Sequence, residues 1–350
     1  MKKKVLLIGP DFYGYNQSIE KALKYYGYEV KTAPYLENLV KKIDRIKFYL
    51  LPKLGISLFK DKYVKDFNNF VLKLFNSFNP DIILVIKGNI LTEKTINLMN
   101  GSIKVLWMMD SIFSVNKDLS TLKEYDFTFM FEENDVEYLR EREILAFFLP
   151  VGFDESVYNK IDKLEKDIDI VFIGALYGGR REFFEKLIID FKHLNIKIYG
   201  KYLEIRNPFT YYKFYLKGFK KYFTNTNTIP IDTNYIYNKS KIAINLHHKQ
   251  SVRSCNPRFF EILASNTFQL VDNKTFIEEN FKNNFEIVTF SSYEELKEQI
   301  NMYLDNPIMR ENISERGYKK VLLEHSFNIR IKSMLHVLNN SKMSNREVLK

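Results

Sequence analysis

One cysteine, Cys255, in 350 residues excludes an internal disulfide and any multi-cysteine metal site, and agrees with a reducing compartment. Long apolar runs are missing as well. The longest, such as Ile82 to Ile86, are strand-sized, and no window reaches the roughly 18 consecutive apolar residues that cross a bilayer. The chain therefore reads as soluble or at most peripheral. The opening Met1-Lys2-Lys3-Lys4 has the charge of a secretory leader, but Val5 to Ile8 is too short for its apolar core and ends in Gly9-Pro10-Asp11, so the expected location is the cytoplasm. Glycine is sparse, and the loop after the first apolar run lacks both the GxGxxG spacing of a dinucleotide site and the Lys-Ser/Thr of a P-loop. A dehydrogenase or an ATPase is disfavoured. No internal repeat is detectable.

What is present is an ordinary globular balance, 45% apolar and 27% charged, which excludes disorder, collagen and coiled coil; at about 100 to 200 residues per domain the length suits two domains. Lys and Arg outnumber Asp and Glu by 53 to 43, so an anionic partner fits: the phosphates of a small molecule, nucleic acid or an anionic membrane. Nucleic acid is the least favoured, because no recognition motif accompanies the charge.

Apolar runs of strand length alternate with segments of helical spacing. Lys4 to Ile8 reads as a strand, Gln17 to Tyr26 as a helix closing on Gly27, and Tyr28 to Val30 as the next strand, which together make a βαβ unit. Further strands are expected at Ile82–Ile86, Lys104–Met108, Phe127–Phe131 and Phe147–Leu149, giving a first doubly wound domain over residues 1–152. Phe153 to Lys166 is charged and aperiodic, as an interdomain linker would be. A second series follows over 167–325, with strands at Ile168–Ile173, Ile196–Tyr199, Ile242–Leu246 and Thr267–Val271 and helices at Arg258–Ser265, Tyr293–Leu304 and Ile308–Leu323. Pro307 separates the last two helices. Residues 326–340 form a closing helix that can cross back to the first domain, and 341–350 a polar tail.

Open α/β sheets bind ligands at the carboxyl ends of their strands, so the loops there carry the candidates. After Ile242–Leu246 come His247, His248, Lys249, Arg253, Asn256 and Arg258, with Glu261 one turn into the helix that Pro257 opens. A proline at the first helical position, free N–H groups and flanking cations suit a phosphate or diphosphate. Glu261 either accepts hydrogen bonds from ribose hydroxyls or pairs with Arg258 at i−3. After Ile168–Ile173, Gly174 leads through Gly178 and Gly179 to Arg180 and Arg181, of which one suits a phosphate and the other a solvated helix start. Asp110, ending the strand that contains Trp107, is either a general base or a turn former with Ser111. Asp167 and Asp169 imitate a DxD metal motif but precede a strand rather than follow one. The adjacent His247 and His248 cannot form an i, i+4 metal pair, and His193, His325 and His336 read as packing or surface residues.

Taken in order, several stretches resemble the CgeB-like glycosyltransferases related to the group 1 transferases. They are Asn79-Pro80-Asp81 with Ile82–Ile86 and Lys87-Gly88; Val105 to Trp107 with Asp110-Ser111; Asp169 to Gly174 with Arg181; Ser240 to Leu246; Asn256 to Ala264; and Glu324 to Phe327 with Arg330. The resemblance implies an α/β fold of the GT-B type, two Rossmann-like doubly wound domains facing across a cleft. The activated sugar nucleotide would lie mainly on the second domain and the acceptor on the first. It implies no obligatory metal, and no cofactor beyond a nucleotide sugar as co-substrate. By analogy Gly174, Arg180 or Arg181, His247, Arg253, Asn256, Arg258 and Glu261 would hold the donor, while Tyr13, Gly14 and Lys87 would line the first domain's side. Asp110 would act as base. The acceptor class would be a polysaccharide, glycolipid or protein of a cell-surface glycan pathway. Arg253 stands where group 1 transferases carry a second glutamate, eight residues before Glu261, so the sugar and the anomeric outcome stay open. The alternative is a non-catalytic partner subunit that keeps the fold and the anion pocket. Two basic aromatic stretches, 41–75 and 201–223, suit either an anionic membrane surface or packing on the domain.

Overall fold

The computed structural model describes residues 2–10, 14–35, 58–115, 118–204, 207–225, 230–248 and 251–347. Met1–Val151, Val252–Ser254 and Phe327–Lys350 form one compact unit; Gly152–Ser251 and Cys255–Ser326 form a second.

The first unit is built on six parallel strands, β1 (Lys4–Pro10), β2 (Glu29–Tyr35), β3 (Ile82–Ile86), β4 (Ile103–Met108), β5 (Phe127–Met130) and β6 (Ala146–Phe148), in the order β2-β1-β3-β4-β5-β6. Because a strand's side chains alternate between faces, each strand feeds two cores. Leu6, Ile8, Ile83, Val85, Leu106 and Met108 join Phe67, Val71 and Phe75 of the helix Leu58–Phe78. Val5, Leu7, Leu84, Val105 and Trp107 join Ile19 and Leu23 of the helix Tyr15–Tyr25 and Phe327, Ile331 and Met334 of the last helix. Trp107 is fully buried, and its indole N–H donates to Leu149 O at 3.0 Å. Burying such a ring stabilises the unit by about 3 kcal/mol. Pro34, which has no N–H for a ladder, is tolerated because β2 lies at the sheet edge.

The second unit has five parallel strands, β7 (Ile168–Ile173), β8 (Ile196–Tyr199), β9 (Ser240–Asn245), β10 (Phe268–Asp272) and β11 (Val288–Phe290), in the order β11-β10-β9-β7-β8. Its core gathers Ile170, Phe172, Ile242, Ile244, Phe268 and Leu270 with Phe184, Leu187 and Ile188 of the helix Arg180–Asp190. The architecture is that of two Rossmann-like, doubly wound parallel α/β domains of the GT-B type.

Two expectations change. The stretch 153–166 is not a free linker but packs on the second unit: Tyr158 is buried, and the N–H groups of Asn159 and Ile161 donate to Asn234 Oδ1 and Asn238 Oδ1 at 3.2 and 2.8 Å. The closing helix runs Phe327–Glu347, past the point where polarity suggested a tail. Of the stretch 41–75, only the helix from Leu58 is described, and 41–57 lie outside the described residues. Among the described residues no helix is long and apolar enough to cross a membrane.

Candidate functional site

Each sheet has one point at which successive connections leave in opposite directions, and the adjoining loops open a crevice there. In the first unit that point lies between β1 and β3, in the second between β7 and β9.

In the second unit β7 runs into Gly174, whose N–H donates to Tyr199 O at 2.9 Å. A side chain on the neighbouring Gly200 would press against Gly174 O, so the two backbones pass closely. Gly178 and Gly179 both take left-handed backbone angles, φ 64° and 87°, and Gly179 caps the helix Arg180–Asp190. The two arginines then part. Arg180 donates from Nη2 to Leu246 O at 2.7 Å and from Nη1 to Ala175 O at 3.1 Å, which fixes its guanidinium between the ends of β7 and β9. Arg181 is buried, pairs with Glu204 and lies over the Tyr202 ring. Only Arg180 belongs to the crevice.

At the end of β9, the backbone N–H of His247 and its Nδ1 both meet Asp272 Oδ1, at 2.8 and 2.7 Å. Burial, the largest influence on Asp272, pushes its pKa up, but the His247 ring and N–H outweigh it and the net shift is downward. Asp272 is thus an ionised acceptor, which places the proton of a neutral His247 on Nδ1 and leaves Nε2 as an acceptor. The His247 side chain is wholly buried, and Nε2 has no partner among the described residues. His248 packs edge-on against Tyr177 at 5.1 Å. Lys249 lies outside the described residues.

The helix Pro257–Ala264 begins beside these groups. Asn256 is its N-cap: Oδ1 accepts from Phe259 N–H at 3.1 Å, while Nδ2 donates to Asn245 Oδ1 and Leu246 O at 3.0 and 3.2 Å. It ties the helix to β9 and is a scaffold residue. Glu261 is 1% exposed and forms an ion pair with Arg258, which also donates to the Tyr158 hydroxyl at 3.2 Å. Arg258 is the more exposed member of the pair.

Arg253 is held by carboxylates. Its guanidinium meets Glu133 and Glu137 at 3.1 and 3.2 Å, and the N–H groups of Val252, Arg253 and Ser254 all donate to the buried Glu132 carboxylate at 2.9 to 3.3 Å. This three-residue clamp belongs to the first unit. Burial raises the pKa of Glu132 despite those three donors.

At the first unit's switch point Asn16 Nδ2 donates to Gly9 O at 3.0 Å, and Gly14, φ 76°, caps the helix Tyr15–Tyr25. Tyr13 lies outside the described residues. Lys87 ends β3 in a left-handed conformation, φ 65°, that costs a non-glycine residue about 1 kcal/mol. Its ammonium pairs with Asp110 at the end of β4. Asp135, which the sequence reading did not single out, accepts from Ile112 N–H at 2.8 Å and Ser111 Oγ at 3.0 Å in the turn that follows Asp110. Asp167 and Asp169 pair with Lys239 and Lys241, each at 2.7 Å. Among the described residues no three His, Cys, Asp or Glu side chains gather to hold a metal ion.

Residues 180–336 match the model of a family described as glycosyl transferase-like. Among solved structures the chain is similar to a sucrose-phosphate synthase from Thermosynechococcus elongatus (TM-score 0.66, 11% identity, covering 98% of this chain and 100% of that one). It is similar to a glycosyltransferase from Rickettsia africae (TM-score 0.66, 13% identity, 96% and 97% covered) and to Anabaena HepE in complex with UDP (TM-score 0.60, 12% identity, 97% and 100% covered). No curated protein matches the chain.

Proposed function

We propose that this protein transfers a sugar from a nucleotide-sugar donor to a hydroxyl of a polysaccharide, glycolipid or protein acceptor, without a metal ion. The observation that carries the reading is the β7/β9 switch point, where Arg180 and His247 stand at the strand ends and Asn256 ties the helix that carries Arg258 to β9, all inside the stretch matched by the glycosyl transferase-like model. HepE, crystallised with UDP and with UDP and glucose, supports a nucleotide donor by its shared fold.

In the proposed reaction the acceptor oxygen attacks the anomeric carbon, the bond from that carbon to the diphosphate oxygen breaks, and the nucleoside diphosphate departs with the electron pair. Arg180, assisted by Arg258, stabilises the charge that develops on the leaving diphosphate. His247 Nε2 accepts a donor hydroxyl. Asp110, oriented by Lys87, takes the acceptor's proton. Glu261 positions Arg258.

The test is thermal shift and nucleotide release against a panel of nucleotide sugars, with Arg180→Met and Arg181→Met compared. Stabilisation lost in Arg180→Met and kept in Arg181→Met, with release of nucleoside diphosphate, supports the reading. Binding without release would favour a non-catalytic partner subunit, and no binding would defeat both.

A surface feature bears on where the acceptor is met. The helix Pro208–Leu216 buries Thr210 and Phe214 but exposes Phe209, Tyr212, Tyr215 and Leu216, with Lys217, Lys220 and Lys221 close behind. Apolar rings beside lysines suit the interface of an anionic bilayer, and this surface is proposed to meet a lipid-linked acceptor there. Sedimentation with vesicles containing phosphatidylserine, but not with phosphatidylcholine alone, is the expected result; equal recovery in both supernatants would remove the idea.

A further inference from the structure

The second unit carries a cavity of about 350 Å³ at the amino ends of its strands, opposite the end that holds Arg180 and His247. Lys166 lies two residues before β7, Asn238 two before β9 and Asn266 two before β10, and the wall is completed by Arg310 and Ser314 from the first turns of the helix Pro307–Glu324. With six-residue strands at about 3.3 Å per residue, the two ends are about 20 Å apart. The size is that of a small-molecule site.

The charges lining it are unevenly answered. Lys241 meets Asp169, and Lys160 meets Glu315 at 3.6 Å. Lys166, in contrast, donates to the carbonyls of Asn238 and Ser240 at 3.2 and 3.1 Å and has no carboxylate partner among the described residues. Arg310 is 6% exposed, and its described bonds, both from Nη1, go to the carbonyls of Tyr303 and Leu304. A carbonyl fixes a cation's position without cancelling its charge. Burial, and then the neighbouring Arg310, push the Lys166 ammonium down to about 8; Glu311, an exposed carboxylate that also lines the cavity and acts on both cations, opposes this and does not cancel it. Each head also faces the end of a helix, Pro230–Asn238 or Tyr293–Asp305, which compensates only partial charge.

We propose that this cavity is a second anion site, which takes a phosphate-bearing small molecule between Lys166 and Arg310. It is independent of the donor crevice, and the proposed glycosyl transfer does not require it. Nothing in the transfer reading uses these residues.

The experiment is calorimetric titration of the full chain with inorganic pyrophosphate at constant ionic strength. Saturable binding is expected to weaken about tenfold, equivalent to about 1.4 kcal/mol, in Lys166→Gln, which can still donate to the two carbonyls. The exposed Lys163→Glu, which reverses a charge at the cavity without touching the core, is expected to weaken it similarly. Arg180→Met leaves this binding unchanged. Binding that disappears in Arg180→Met and survives both lysine variants would place the anion in the donor crevice and overturn the proposal, as would the lack of any saturable binding. Neither result touches the transfer reading, whose test is nucleotide release.

Discussion

Replacing Arg258 with methionine isolates what the pair beneath the donor crevice contributes. Glu261 is 1% exposed, so its carboxylate cannot turn to water when the guanidinium is removed. Two charges in hydrogen-bond contact at an effective dielectric of about 20 attract by on the order of 4 kcal/mol, and desolvation consumes much of that gain. What remains when the guanidinium is deleted is the cost of a buried carboxylate that has lost its cation, about 3 to 5 kcal/mol. Methionine retains most of the apolar stem, so packing contributes little to the loss. Arg258→Met/Glu261→Leu removes both charges and should return to within about 2 kcal/mol of the parent, so a double-mutant cycle should show coupling of at least about 2 kcal/mol. The assay is equilibrium urea unfolding followed by far-UV circular dichroism. Fluorescence of Trp107, the one tryptophan, reports the first unit alongside it. A loss below about 1 kcal/mol in Arg258→Met, or no recovery in the double variant, would refute the buried-pair argument.

Asp110→Asn should lower turnover by about 10² to 10⁴ while leaving nucleotide affinity unchanged, and full turnover would remove Asp110 as the base. Gly317→Ala inverts the usual rule that alanine stabilises a helix interior by about 1 kcal/mol. Its methyl group would press on Glu286 O and lie 2.9 Å from Leu263 Cδ2, so the urea midpoint should fall, by about 1 to 3 kcal/mol in stability. For Lys166, held down at about 8, the unfolded chain binds the proton more tightly than the fold does. Stability therefore rises with pH between about 8 and 10 as the folded lysine sheds its charge, and below 8 the full cost is present, at most about 3 kcal/mol. Urea unfolding at pH 7.5 and 9.5 should show that rise in the parent and a smaller one in Lys166→Gln; equal slopes would contradict it.

Much of the fold is legible in local pattern because parallel strands buried on both faces read as short apolar runs. Ile82–Ile86, Ile168–Ile173 and Ile196–Tyr199 coincide with the expected strands, and Pro257 and Pro307 open the helices they mark. β11 was not legible: it has three residues at a sheet edge, too few for a period to show. The helix Glu133–Arg140 did have a signal, with acidic residues in its first turn, Arg140 in its last, and Val136 and Leu139 three apart. Its neighbour Glu132 follows a strand end, and nothing local marks it as the acceptor for Arg253 N–H. The carboxylate partners of the Arg253 guanidinium are hidden for the same reason. They lie 116 and 120 residues earlier in the chain, and spacing cannot report a contact that only the tertiary fold makes.

Adjacent Arg180 and Arg181 were indistinguishable in sequence because what separates them is the chemistry of their partners. Arg181 ends on a carboxylate, so the pair presents little net charge to a ligand. Arg180 ends on two carbonyls, which hold the guanidinium still, and Asp272 acts on it without an ion pair among the described residues, so much of its charge is left to act on an anion, and a positioned charge costs no reorganisation when the anion arrives. The same distinction sorts the opposite end of the sheet: Lys241 is answered by Asp169, whereas Lys166 and Arg310 rest on carbonyls beside a cavity. It also ranks Arg258 behind Arg180 at the donor crevice, since Glu261 offsets its charge. Net charge and loop position identify where cations gather. Which of them can bind a phosphate follows from whether each is held by a dipole or by an opposite charge.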